Sequence, residues 1–167
     1  MTEVMDGALG GVAVWQVMDA GHLDQAVGEV FGLMLGVPVS AVEDAFVPAP
    51  ETEVLTAMVG LAGAISGACA VVVKSEAAIY MATCMAGIEL DSVDETVLDG
   101  LGEISNMLAG AWKAKIPELD VACMLSVPTV VTGSKYVVHR KEPAFLVERS
   151  YRLNDYLFAV RVYGVIH

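Results

Sequence analysis

Apolar positions along this chain switch between two periods, and the switches mark the elements. Leu23, Ala26, Val27, Val30, Phe31 and Met34 recur at helical spacing, which predicts a helix from about His22 to Leu35. Gly36 and Pro38 stop it. Val39 to Val47 reads as a strand, punctuated by Pro48 and Pro50. Ser75 and Glu76 open a second helix that runs to about Met85 and closes at Gly87. A third helix, capped by Asp91, Ser92 or Asp94, continues to about Lys115 and stops before Pro117. Strand patterns follow at Val121–Val131, Lys135–His139, Ala144–Arg149 and Leu157–Val165, with turns at Gly133, Pro143 and Asn154-Asp155. Helices and strands alternate without a βαβ rhythm. This predicts a single α+β domain over residues 1–167, a largely antiparallel sheet packed against long helices.

One apolar run admits two readings. Val54 to Val73 holds twenty uncharged residues, long enough for a membrane span, with Gly63 and Gly67 in GxxxG spacing. Its flanks, Glu53 and Lys74, lack a basic cluster or aromatic belt. Its middle is glycine-rich and its end, Ala70-Val-Val-Val73, favours a strand. Two buried strands joined by a turn fit better than a bilayer helix.

Composition narrows the function classes. With 56% hydrophobic and 18% charged residues, the 167-residue chain can bury a full core. The net charge of −12 disfavours nucleic acid and anionic membranes as partners. Cys69, Cys84 and Cys123 are widely spaced, as are His22, His139 and His167, so no metal cluster or disulfide framework is predicted. The thiols read as reduced and mostly buried, in a cytoplasmic protein. Glu3 and Asp6 precede an apolar stretch with no basic region, so no signal peptide is expected.

Chemistry concentrates on the third helix. At 3.6 residues per turn, Val97, Leu101, Ile104, Leu108 and Ala111 share a core-facing side. Asp99, Glu103, Asn106, Gly110 and Lys113 form a stripe opposite, with Gly102 and Ala109 beside it. Small residues there would let another protein approach the helix backbone. Glu103 can pair with a partner's cation, and Asn106 can hold and aim a water. Such a pair suits a reaction limited by positioning, of which phosphoryl transfer is one. An exposed polar stripe is also what any amphipathic helix carries, so spacing alone does not establish catalysis. A faint internal repeat aligns Gly28-Glu29-Val-Phe-Gly32 with Gly102-Glu103-Ile-Ser-Asn106. The first copy has glycine where the second has Asn106.

Asp99-x3-Glu103-x2-Asn106, followed after twenty-one residues by Pro128 within Leu125-Ser-Val-Pro128-Thr-Val-Val-Thr-Gly133, resembles the CheC/CheX family of chemotaxis phosphatases. The likeness is strongest over residues 92–133. It implies a CheC/CheX-like fold and dephosphorylation of a CheY-like response-regulator receiver. By this resemblance Asn106 orients the attacking water and Glu103 pairs with the receiver's lysine. Asp99, Gly102, Gly110 and Pro128 would contact the partner. The receiver would carry the Mg²⁺, and this chain would need no metal or cofactor of its own. The degenerate first copy, Glu29 with Gly32, matches CheX-like members, which have one site and form homodimers. Lys135–His139 is the candidate for a strand exchanged between subunits. A non-catalytic receiver-binding or dimeric adaptor module of the same fold is the alternative.

Overall fold

The computed structural model describes residues 11–167, so Glu3 and Asp6 lie outside it. The helices are α1 (Val14–Met18), α2 (Ala20–Gly28), α3 (Ser75–Ala86), α4 (Glu95–Ala114) and α5 (Pro117–Asp120). The strands are β1 (Val39–Val42), β2 (Val54–Gly63), β3 (Ile65–Lys74), β4 (Cys123–Leu125), β5 (Thr129–Gly133), β6 (Phe145–Leu153) and β7 (Tyr156–Ile166). They form one antiparallel sheet in the order β1-β6-β7-β3-β2-β4, with β5 also on β2. The fold is α+β, as the sequence pattern predicts.

The apolar run Val54–Val73 is a hairpin. Its strands turn at Gly63, whose φ of 113° is open to glycine, and a Cβ there would stand 2.2 Å from the Ala122 carbonyl oxygen. The GxxxG spacing thus serves a turn and a close strand crossing. Among the described residues no helix is long and apolar enough to cross a membrane.

One face of the sheet carries the core. Leu55, Ala57, Val59, Cys69, Val71 and Val73 alternate inward against Leu23, Val27, Val30, Leu101, Ile104 and Leu108 of the helices. Cys69 is wholly enclosed, and burial pushes its thiol up to about 12, so it stays a neutral, inert core group. On the other face Phe46 packs on Val72 and Ala159, and its N–H donates to the Ser150 hydroxyl at 2.8 Å. Asp24 ties α2 to β6. It accepts from Arg149 at 2.9 and 3.1 Å and from the buried Tyr151 hydroxyl at 2.7 Å.

The expected elements depart from the observed ones at several points, and the strand expected over Ala144–Arg149 runs on to Leu153. The first helix begins at Ala20, and over Glu29–Met34 it widens to π winding, with Leu35 N–H reaching Val30 O. The first strand ends at Val42, because residues 43–53 leave the ladder to bring Phe46 across the outer face. The strand expected over Val121–Val131 is broken at Ser126–Pro128. Lys135–His139 forms no strand. Lys135 takes a positive φ of 58°, Val137 is 89% exposed, and the Tyr136 hydroxyl bonds to Thr56 rather than extending a ladder. The short helices α1 and α5 have no clear periodic signal.

The topology contains a repeat. Helix, short strand and two long strands occur as α2-β1-β2-β3 and again as α4-β4/β5-β6-β7. Each half lends its short strand to the other: β1 pairs with β6, and β5 pairs with β2. The halves meet at β3 and β7, where Gly67 lies opposite Gly164. A Cβ on Gly67 would stand 1.9 Å from the Tyr163 carbonyl oxygen, so only glycine permits this approach. Gly67→Ala is expected to destabilise the protein by about 3 kcal/mol or more, read as a lowered urea midpoint. An unchanged midpoint would mean that the central strands separate freely.

Candidate functional site

Helix α4 starts where Asp94 Oδ1 accepts the Val97 N–H at 3.1 Å. Its inner side buries Val97, Leu101, Ile104, Leu108 and Trp112. Ser105, fully buried, donates its hydroxyl to the Ala57 carbonyl at 3.2 Å and fixes the helix over β2. The rotation of α4 is therefore set from below. It leaves Asp99 and Glu103 exposed and Asn106, Gly110 and Lys113 half-buried, the predicted stripe.

Gly102 and Ala109 belong instead to the buried side. A Cβ on Gly102 would meet Pro128 Cγ at 3.3 Å and Val130 Cγ2 at 3.7 Å. Its small size accommodates this chain's own proline, a packing role that the helical stripe alone does not show. Gly110 faces Leu125, at 4.0 Å from a notional Cβ. Positions 102, 106 and 110 lie on one line of the helix. Asn106 thus stands between the Pro128 and Leu125 contacts.

The approach of Pro128 depends on a change of phase in the neighbouring strand. In β4, Leu125 points toward α4; beyond the break, Pro128 and Val130 do. An uninterrupted strand keeps odd positions on one face, so it would turn Pro128 away. The registers locate the extra residue. Leu61 pairs with Leu125 and Met58 with Thr129, so three residues, Ser126–Pro128, oppose two, Val59 and Gly60. This is a β-bulge, and it re-aims the proline.

Asp99, Gly102, Glu103 and Pro128, with Leu98 and Val130, line a shallow cleft of about 300 Å³. Asn106 and Gly110 lie beyond it on α4. Among the described residues, neither Asp99 nor Glu103 enters an ion pair, and no side-chain hydrogen bond engages Glu103 or Asn106. Two unpaired carboxylates one turn apart attract a cation. The adjacent amide has its donors and acceptor free. Among the described residues, no three His, Cys, Asp or Glu side chains converge as metal ligands.

The first copy of the repeat differs in three respects. Glu29 Oε2 is held by Lys115 Nζ at 2.6 Å. Position 32 is an exposed glycine without an amide. The π winding also separates positions 29 and 32 around the helix, away from the neighbouring placement that α4 gives Glu103 and Asn106. The sequence pattern assigns no site role of their own to Ser126, Leu98 or Val130. Their signal is the loss of alternation between Leu125 and Val130, with a Ser-x-Pro at the break.

A family model described as chemotaxis phosphatase CheX matches residues 55–148. A CheY-P phosphatase CheX from Thermotoga maritima is 34% identical over 80 residues, 47% of this chain and 52% of that protein. The match thus spans about half the length of that relative. Among solved structures, a chemotaxis protein CheX from Desulfovibrio desulfuricans superposes with a TM-score of 0.71 at 21% identity, over 87% of this chain and 97% of that one. A chain from the CheX-CheY-BeF3-Mg complex of Borrelia burgdorferi gives a TM-score of 0.69 at 18% identity, over 89% and 99%. At these identities the two structures establish a shared fold.

The Gly102–Pro128 contact is testable in the isolated protein. Gly102→Val is expected to cost about 2 kcal/mol in chemical denaturation, because the branched side chain must displace the proline ring. A stability equal to the parent's would show that Pro128 does not rest on the helix.

Proposed function

The chain belongs to the chemotaxis phosphatase CheX family, and on that premise we propose that it hydrolyses the phospho-aspartate of a CheY-like receiver through Glu103 and Asn106. The observation that carries this reading is the uncovered pair itself: a carboxylate without an ion partner and an amide without a hydrogen-bond partner, one turn apart on a helix whose rotation is fixed by Ser105. The curated relative's activity, and the CheY bound in the Borrelia complex, agree with it.

In the proposed step, Glu103 pairs with the receiver's lysine and sets the register of the two proteins. Asn106 then holds a water in line with the acyl phosphate. The water oxygen bonds to phosphorus as the bond from phosphorus to the aspartyl oxygen breaks, and the carboxylate leaves on the receiver. The water's proton passes to solvent or to the departing phosphate. An amide is a weak base, yet a loose transition state asks for alignment more than for proton abstraction. Mg²⁺ would be supplied by the receiver. Asp99 and Pro128 border the docking cleft, and Gly110 flanks Asn106. The pair would meet in the cytoplasm. A homodimer belongs to the same proposal, supported by the exposed valines of the 134–143 loop and read by light scattering.

The test follows the lifetime of a phosphorylated receiver. Parent protein shortens it, and Asn106→Ala reduces the rate by about 100-fold through loss of water alignment. Glu103→Ala raises KM with kcat largely retained. Parent protein that binds the receiver without changing the phosphate lifetime would instead identify a docking module. An Asn106→Ala variant as fast as the parent would contradict the mechanism.

A further inference from the structure

We propose that Ser126 is a positioning residue for the docking cleft, acting through Pro128; the inference rests on the receiver-docking reading above. Pro128 reaches Gly102 only because one extra residue at Ser126–Pro128 switches the strand's phase. A bulge of this kind leaves the ladder locally unpaired, so something must hold it. Ser126 does so with both ends of its hydroxyl. Its Oγ accepts the Gly60 N–H at 2.7 Å and donates to the Val127 carbonyl at 2.9 Å. Its own N–H donates to the Gly60 carbonyl at 2.9 Å. One side chain therefore replaces a missing ladder acceptor and restrains the peptide unit that leads into Pro128.

Gly60 is part of the same clamp. A Cβ there would stand 3.0 Å from Ser126 Oγ and 3.3 Å from Ser126 Cβ. Bare backbone on β2 is what lets the hydroxyl in. Ser126 itself is exposed, so its removal leaves the Gly60 N–H to water rather than orphaned in the core. The expected consequence is a loosened bulge on an intact fold, and a cleft wall that no longer holds one position. Binding of the receiver depends on that wall; alignment of water by Asn106, farther along α4, does not.

The experiment uses the full chain and a phosphorylated receiver, with Asn106→Ala as the reference for the site. Failure of the parent to hydrolyse, or of Asn106→Ala to slow it, overturns the functional reading and this inference with it. With those two results in place, Ser126→Ala is expected to raise KM about fivefold, with kcat nearly unchanged. Ser126→Thr, which keeps the hydroxyl, restores KM. Gly60→Ala, which crowds the same hydroxyl from β2, raises KM as Ser126→Ala does. Hydrogen exchange at the Gly60 amide should accelerate in Ser126→Ala and recover in Ser126→Thr. A parental KM in both Ser126→Ala and Gly60→Ala overturns the proposal. So does a matched loss of kcat and kcat/KM that Ser126→Thr fails to rescue.

Discussion

Pro128 rests on the bare Cα of Gly102, so closely that a methyl group would already stand 3.3 Å from the ring. Three separate features converge on that contact. The helix must be rotated so that position 102 faces the sheet, which the buried apolar side of α4 and the Ser105–Ala57 hydrogen bond ensure. Position 102 must lack a side chain. The strand must change phase just before the proline, which the Ser126–Pro128 bulge achieves. Given these, Asp99 and Glu103 are held at the mouth of the cleft and Asn106 one turn farther on. The site owes its form to packing beneath it. Glycine in a helix interior costs about 1 kcal/mol relative to alanine, and here the close approach gives that cost a structural return.

The two halves of the molecule are similar in topology and different in chemistry. They exchange short strands and meet at the Gly67–Gly164 crossing, where main chains lie too near for any side chain. Equivalent helices then lie over one shared sheet. In α4 the acidic residue is free. In the other helix Glu29 is spent on Lys115, the amide position is glycine, and the winding is π. Lys115 is itself the C-cap residue of α4, so the helix that presents the free pair also immobilises its counterpart. The two helices therefore offer a partner different chemistry: a free carboxylate and amide on α4, a paired carboxylate and a bare glycine on the other.

Much of this was legible in the sequence, for identifiable reasons. Gly87 and Pro117 bound α3 and α4 because a left-handed cap and a missing N–H act locally. The hairpin within Val54–Val73 was readable from glycine and valine chemistry alone. The exposure of Asp99 and Glu103 followed from helical period. The packing of Gly102 is not visible on a helical wheel, because a wheel assigns faces by angle, whereas its neighbour Pro128 lies in a bulge that depends on one inserted residue. Lys135–His139 forms no strand within this chain, because alternation shows only that a segment can pair, and the positive φ of Lys135 with the Tyr136–Thr56 hydrogen bond turns it off the ladder. The π winding has no periodic signature over six residues. The nonlocal register was thus the illegible part, and it shapes the cleft.

On the proposed reading the α4 face, and not its pseudo-equivalent, receives the partner. Amide chemical-shift mapping tests this most directly, with a receiver held in its phosphorylated form by beryllofluoride and Mg²⁺. The predicted result is perturbation confined to the exposed side of α4 from Asp99 to Gly110 and to Ser126–Thr129, with Glu29–Met34 silent. Perturbations centred on Glu29–Met34, with α4 unaffected, would contradict it.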